Sequence, residues 1–214
     1  MSITVNCYPY GPLGENTYLI ADDQTNKCAV IDPGCFGDTI ISDIEKCSSL
    51  DFILLTHGHY DHFASCLDYL NDYPDVVFAA PAGETELMYH GTDNKWFANG
   101  SSRSVCPEAS LLVGENDIIR LGETEIRIIG TPGHTSGGIT FYADNIAFTG
   151  DTLFRLSVGV TNYKTGNWET MVRTIQTKIY ALPDNTIVYP GHGPATTIGF
   201  EKKNNPFVKS CVAD

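Results

Sequence analysis

Five of the six histidines of this chain fall into three tight, glycine-rich clusters, and any fold it adopts must bring their flanking strands into agreement. His57, His59 and His62 lie in THGHYDH, His134 in TPGHTSGG and His192 in PGHGP, whereas His90 stands alone and reads as an ordinary solvated or core-satisfied side chain. Each cluster sits at a strand-to-loop junction, where glycine lets the backbone turn sharply and side chains converge above a sheet edge. Extended-chain alternation puts His57 and His59 on one side of their loop, with Asp61 and His62 following at a helix start, so one loop can address two ions. Neutral imidazoles suit Zn, Fe, Ni and Co, and a carboxylate adds charge balance without the softness of a thiolate. Nitrogen and oxygen ligation of a transition metal is therefore expected. Asp151, in FTGDTLF, ends an apolar strand, where an unpartnered buried carboxylate is costly and a position between two cations removes the difficulty.

The pattern around these clusters repeats in two halves. Short β-like runs at Ile3 to Cys7, Thr17 to Ile20 and Cys28 to Ile31 precede a helical spacing at Ile40, Ile41 and Ile44. The apolar run FILLT at 52 to 56 then leads into the first histidine motif, and residues 61 to 72 read as one amphipathic helix with Phe63, Leu67 and Leu70 on a face. VVFAA at 76 to 80 reads as a strand and residues 84 to 91 as a short helix. The polar stretch 91 to 108 reads as an insertion or lid, with KWFANG at 95 to 100 a candidate aromatic wall. Strands at Leu111 to Val113, Asp117 to Leu121, Glu125 to Ile129, Gly138 to Tyr142 and Ile146 to Thr149 form the second half, followed by a helix over Trp168 to Tyr180 and the strand TIVYP. Two sheets, each covered outside by helices, satisfy this order, giving an α/β four-layer sandwich. The 214 residues suit one domain spanning 1–214.

The motifs H-x-H-x-D-H at 57–62, TPGHT at 131–135, GDTLF at 150–154 and PGHGP at 190–194 resemble, in order, the metal-binding motifs of the metallo-β-lactamase superfamily. The opening GPLGENTYLI and the tail TTIGFEKKNNPF are similar to its glyoxalase II-like, or hydroxyacylglutathione hydrolase-like, branch. The resemblance implies an αββα sandwich with two divalent transition-metal ions, zinc first, with iron or manganese as the others. It implies one ion held by His57, His59 and His134, a second by Asp61, His62 and His192, and Asp151 bridging. Such a pair brings the pKa of a shared water toward about 7. The implied activity is hydrolysis of small thioesters or related esters, with Asp61 orienting the water.

One departure bears on the substrate. Val160 stands where glyoxalase II relatives commonly carry Lys or Arg, so a smaller or less anionic thioester than one of glutathione is expected. Arg155, Tyr163, Lys202 and Lys203 are the other candidates for holding an anionic substrate, set against a plain reading as solvated loop and tail.

Charge narrows the partners. With 13 Lys and Arg against 26 Asp and Glu, the formal charge of -13 repels phosphate backbones and anionic lipid, which disfavours a nucleic-acid or membrane partner and leaves a small-molecule substrate. No apolar run approaches the roughly 20 residues of a membrane span, and the first residues lack the pattern of a signal peptide, so a cytoplasmic protein is expected. Seven scattered cysteines without a C-x-x-C pair read as reduced, mostly packed thiols, with a single reactive one as the alternative. Competing readings are an iron-dependent persulfide dioxygenase, a phosphodiesterase of the same fold, and a silent scaffold. The complete ligand set weighs against the scaffold, the charge against the phosphodiesterase, and the intact PGHGP motif favours hydrolysis over the dioxygenase.

Overall fold

The computed structural model describes residues 2–11, 13–90 and 105–210. The opening runs form an antiparallel meander of β1 (Ile3–Tyr10), β2 (Glu15–Asp22) and β3 (Lys27–Ile31). Parallel strands β4 (Ser49–Leu54), β5 (Val77–Pro81) and β6 (Leu111–Val113) extend it, giving a six-stranded sheet in the order β1 to β6. The connections carry α1 (Asp38–Ile44), α2 (Tyr60–Phe63), α3 (Cys66–Asp72) and α4 (Thr85–His90).

The second sheet runs β14-β13-β10-β9-β8-β7. Its strands are β7 (Ile118–Leu121), β8 (Thr124–Gly130), β9 (Ile139–Ala143), β10 (Ile146–Gly150), β13 (Ile187–Pro190) and β14 (Thr196–Thr197). Between β10 and β13 lie the small hairpin β11 (Leu153–Phe154) and β12 (Ser157–Val158) and the helix α5 (Trp168–Thr174), which continues as a wider turn over Ile175–Ile179. The last helix is α6 (Ile198–Asn204). No helix among the described residues is long and apolar enough to cross a membrane.

Strand alternation explains why four layers form. On β2, Tyr18 and Ile20 face the second sheet and Leu19 faces outward. On β3, Ala29 and Ile31 face in while Cys28 and Val30 face out. The inner residues meet Ile119, Ile126, Ile128, Phe141 and Phe148 of the second sheet in one central core. The outer residues pack under Ile40 and Ile44 of α1, Cys66 and Tyr69 of α3, and Met88 of α4. On the far side, Met171, Ile175 and Ile179 of the α5 region and Ile198 of α6 cover Val188 and Leu153. The result is the αββα sandwich. Full burial of each large side chain contributes about 1.5–3 kcal/mol, so the central layer and the layer under α1, α3 and α4, which holds Phe63, Tyr69 and Phe78, both stabilise the fold.

Two expectations need correction. The helix expected over 61 to 72 is broken: the Ser65 N–H bonds to the carbonyl of Pro33 (2.9 Å) and its hydroxyl to that of Gly34 (2.9 Å), both outside the helix. The chain restarts at Cys66 in a new phase, so Phe63, Cys66 and Tyr69 are buried and Leu67 is 46% exposed instead of facing the core. The strand Leu111 to Val113, grouped by order with the second half, pairs in parallel with β5 and closes the first sheet. A parallel partner needs a long crossover, and sequence order alone does not say which sheet receives it. Residues 91–104, most of the expected lid and all of KWFANG, lie outside the described residues.

Candidate metal centre

The strand ends that carry the histidines meet at one edge of the sandwich. His57 and His59 follow β4, and Asp61 and His62 sit in α2. His134 lies on the loop from β8 to β9, Asp151 directly follows β10, and His192 lies two residues beyond β13. Each residue outside α2 therefore follows the end of a strand held by the core behind it, and α2 sets Asp61 and His62 beside them. Gly191 is required by this crowding, because a Cβ there would run into the Asp151 carboxylate and the His62 ring.

The structure brings all seven expected residues together, and their polar atoms point at two neighbouring places. His57 Nε2 lies 3.1 Å from His59 Nδ1, which in turn lies 2.8 Å from His134 Nε2. A second set comprises Asp61, His62 and His192, with Asp61 Oδ2 at 3.9 Å from His62 Nε2 and 3.4 Å from His192 Nε2. The Asp151 carboxylate stands between the sets. Its Oδ1 is 3.4 Å from His62 Nε2, and its Oδ2 is 3.4 Å from His134 Nε2 and 3.6 Å from His192 Nε2.

The far side of four rings decides which nitrogen carries the lone pair. His62 Nδ1 pairs with Asp32 Oδ2 (2.8 Å), His134 Nδ1 with the Val160 carbonyl (2.6 Å) and His192 Nδ1 with the Leu13 carbonyl (3.1 Å). These partners only accept, so each Nδ1 keeps its proton and turns its Nε2 into the cleft, where that nitrogen is the one a cation would take in place of any proton it holds. His57 Nδ1 meets the Thr56 hydroxyl at 3.1 Å, and that hydroxyl already donates to Asp32 Oδ2 (2.8 Å), so it accepts from His57 as well. Of the three converging nitrogens of His57, His59 and His134, only His59 Nδ1 is free to carry a proton, and one proton does not satisfy both of its neighbours. His62 Nε2 and Asp151 Oδ1 are buried without a hydrogen-bond partner among the described residues.

The electrostatics point the same way. Burial, reinforced by the neighbouring imidazoles, pushes His57 well below the ordinary histidine value and His59 down to about 3; burial lowers His134 as well. Burial opposes a charge on His62 too, but the carboxylates of Asp32, Asp151 and Asp61 prevail and hold its pKa well above normal. Asp151 stays well below the carboxylate range despite its burial, because His62 and His134 face it. A cavity with three neutral imidazoles and an excess of carboxylates is one built to receive cations. The donor set therefore fits divalent metal ions.

Sequence reasoning missed several supports. Asp32 accepts the Thr56 N–H (2.8 Å) and hydroxyl as well as facing His62; its signal was an Asp after a β-run, in IDPG, resembling the position of Asp151. Glu84, 1% exposed, accepts the backbone N–H groups of Gly58 (2.9 Å) and Gly137 (2.6 Å), and nothing local marked it.

Among the expected substrate residues, Tyr163 reaches the centre, its ring 5.1 Å from that of His59. Arg155 stacks its guanidinium 5.3 Å above the Phe200 ring, and Lys202 pairs with Asp184 at 2.6 Å. Lys203 is exposed on α6. The Val160 side chain is 54% exposed beside its contact with His134. Burial raises the thiols of Cys28, Cys66 and Cys106, and no cysteine joins the metal-ligating groups among the described residues.

Comparison with known proteins agrees with this geometry. The chain matches the metallo-beta-lactamase superfamily over residues 10–192. It is 37% identical over 206 residues to a protein of Streptococcus pyogenes named a probable metallo-hydrolase, covering 91% of this chain and 85% of that one. It is 32% identical over 217 residues to the hydroxyacylglutathione hydrolase GloC of Haemophilus influenzae, covering 97% and 99%. Among solved structures it is similar to TTHA1623 in a di-iron-bound form, with a TM-score of 0.82, 29% identity and coverage of 95% and 100%. With its cation-ready edge between two sheets and a match that spans every histidine cluster, the chain belongs to the metallo-beta-lactamase superfamily.

Proposed function

We propose that this protein is a dinuclear metal-dependent hydrolase of small thioesters or related esters. One ion is assigned to His57, His59 and His134, the second to Asp61, His62 and His192, with Asp151 bridging. The observation that carries the reading is the placement of the Asp151 carboxylate, with separate oxygens 3.4 Å from His62 Nε2 and from His134 Nε2. A single-ion centre has no need for a carboxylate facing both ways. When bound, two divalent cations supply Lewis acidity and an activated water near neutral pH.

The chain's own groups do the rest. Asp61 is the more open of the two central carboxylates, its side chain 20% exposed against 10% for Asp151, and it is assigned to hold and orient the proton of the attacking water. The Tyr163 ring, edge-on to His59, borders one side of the cleft. Phe154, with its ring 5.8 Å from that of His192, borders the other set. Zinc is the first candidate metal and iron the second, the latter supported by the di-iron form of a similar structure.

Elemental analysis of purified protein together with a panel of thioesters, esters and lactones tests this directly. About two ions per chain and turnover of a small thioester are expected. A single iron without zinc, with oxygen consumed in place of water, would transfer the reading to the dioxygenase.

A further inference from the structure

Glu84 lies outside every metal-ligating group of the described residues, yet it joins the two loops that carry three of the donors. It ends the short 3-10 turn Ala82–Glu84, just after β5. Its Oε2 accepts the N–H of Gly58, the residue between His57 and His59, at 2.9 Å. Its Oε1 accepts the N–H of Gly137, three residues beyond His134, at 2.6 Å. The three segments are pressed together: a Cβ built on Gly137 would collide with the backbone of Gly83, and one on Gly58 would come within 3.2 Å of Glu84 Oε2. A carboxylate holding two backbone donors in a buried site has strong reason to stay fixed, because either N–H released there would be left unsatisfied.

The geometry points to Glu84 as a positioning residue that sets the spacing of His57, His59 and His134. This rests on the assignment of those three donors to one ion. Nothing comparable ties Glu84 to the second set: Asp61 and His62 are placed by α2, and His192 follows β13. The consequence is selective. Loosening this brace should weaken one ion and spare the other.

The test titrates metal-free wild type and Glu84→Gln with Co²⁺ against a competing chelator, reading the visible bands of the two sites. Gln keeps the size of the side chain but offers one acceptor in place of two. The variant is expected to lose about tenfold or more in affinity for one ion, the scale for residues that orient metal ligands, with the other within about threefold. Glu84→Asp, which keeps the charge one methylene short, should weaken the same ion. Equal weakening of both ions, or unchanged affinities in a folded variant, overturns the inference. If neither variant folds, hydrogen exchange on metal-free wild type decides, since the Gly58 and Gly137 amides should be strongly protected and exchange at the rate of open loops refutes the brace. A wild type that binds fewer than two ions refutes the dinuclear reading instead, so the two failures are distinguishable.

Discussion

Asp32 Oδ2 lies 2.8 Å from His62 Nδ1, and that contact decides which nitrogen of a fully buried histidine faces the cleft. The same carboxylate also holds Thr56 by its N–H and its hydroxyl, so a single side chain after β3 sets the end of β4 and the tautomer of His62 together. Asp32→Asn replaces one acceptor with an NH₂ donor and favours the wrong tautomer. Affinity for the ion at His62 is expected to fall about 10- to 100-fold, measured by chelator competition, with a smaller loss at the His57 set, which Asp32 reaches only through the Thr56 hydroxyl. Equal affinities in variant and wild type would remove the orienting role.

Asp151 faces donors of both sets, so Asp151→Ala is expected to lower the occupancy of both ions, read as moles of metal per chain after dialysis. Losing one ion while keeping the other at full occupancy contradicts the bridge.

Substrate choice turns on Val160. Its side chain is half exposed beside His134, Lys202 is committed to Asp184, and Arg155 lies over Phe200. Wild type is expected to prefer a small, weakly anionic thioester over S-lactoylglutathione. Val160→Arg should lower KM for the glutathione thioester roughly 1.5- to 5-fold with little change in kcat, matching about 0.2–1 kcal/mol for an exposed ion pair made equally in ground and transition states. A wild-type kcat/KM for that thioester near the upper range of ordinary enzymes, roughly 10⁷–10⁸ M⁻¹s⁻¹, would show that other residues hold it.

Asp22 joins the two sheets far from the metal centre. Burial opposes its charge, but Oδ1 accepts from the Thr25 N–H (2.8 Å) and hydroxyl (2.6 Å) and Oδ2 from the Thr124 hydroxyl (2.7 Å), which together hold its pKa down at about 2. A carboxyl whose folded pKa lies below its unfolded value of about 3.9 adds stability above that pH. The contribution is lost as the pH falls toward 2. Asp22→Asn should be less stable at pH 6 and should show a flatter loss between pH 4 and 2, followed by urea unfolding at each pH. Parallel curves for the two proteins would refute the linkage.

The sequence by itself determined the donor chemistry and the layers. Five histidines and two aspartates at glycine-rich strand ends announce a cation site because few other arrangements tolerate them. The apolar runs TYLI in β2 and CAVI in β3, with no polar alternation, are those of strands that contact a layer on each side, though which residue faces which layer was decided by the packing. The tertiary structure alone decided which sheet takes β6, where the helix after the first motif breaks, and how the rings are turned. Those outcomes rest on partners distant in the chain: His59 meets His134 across 75 positions, and Glu84 meets Gly137 across 53. Two of the deciding acceptors are the backbone carbonyls of Leu13 and Val160, a group that every residue type carries, so no side chain at those positions could have signalled it.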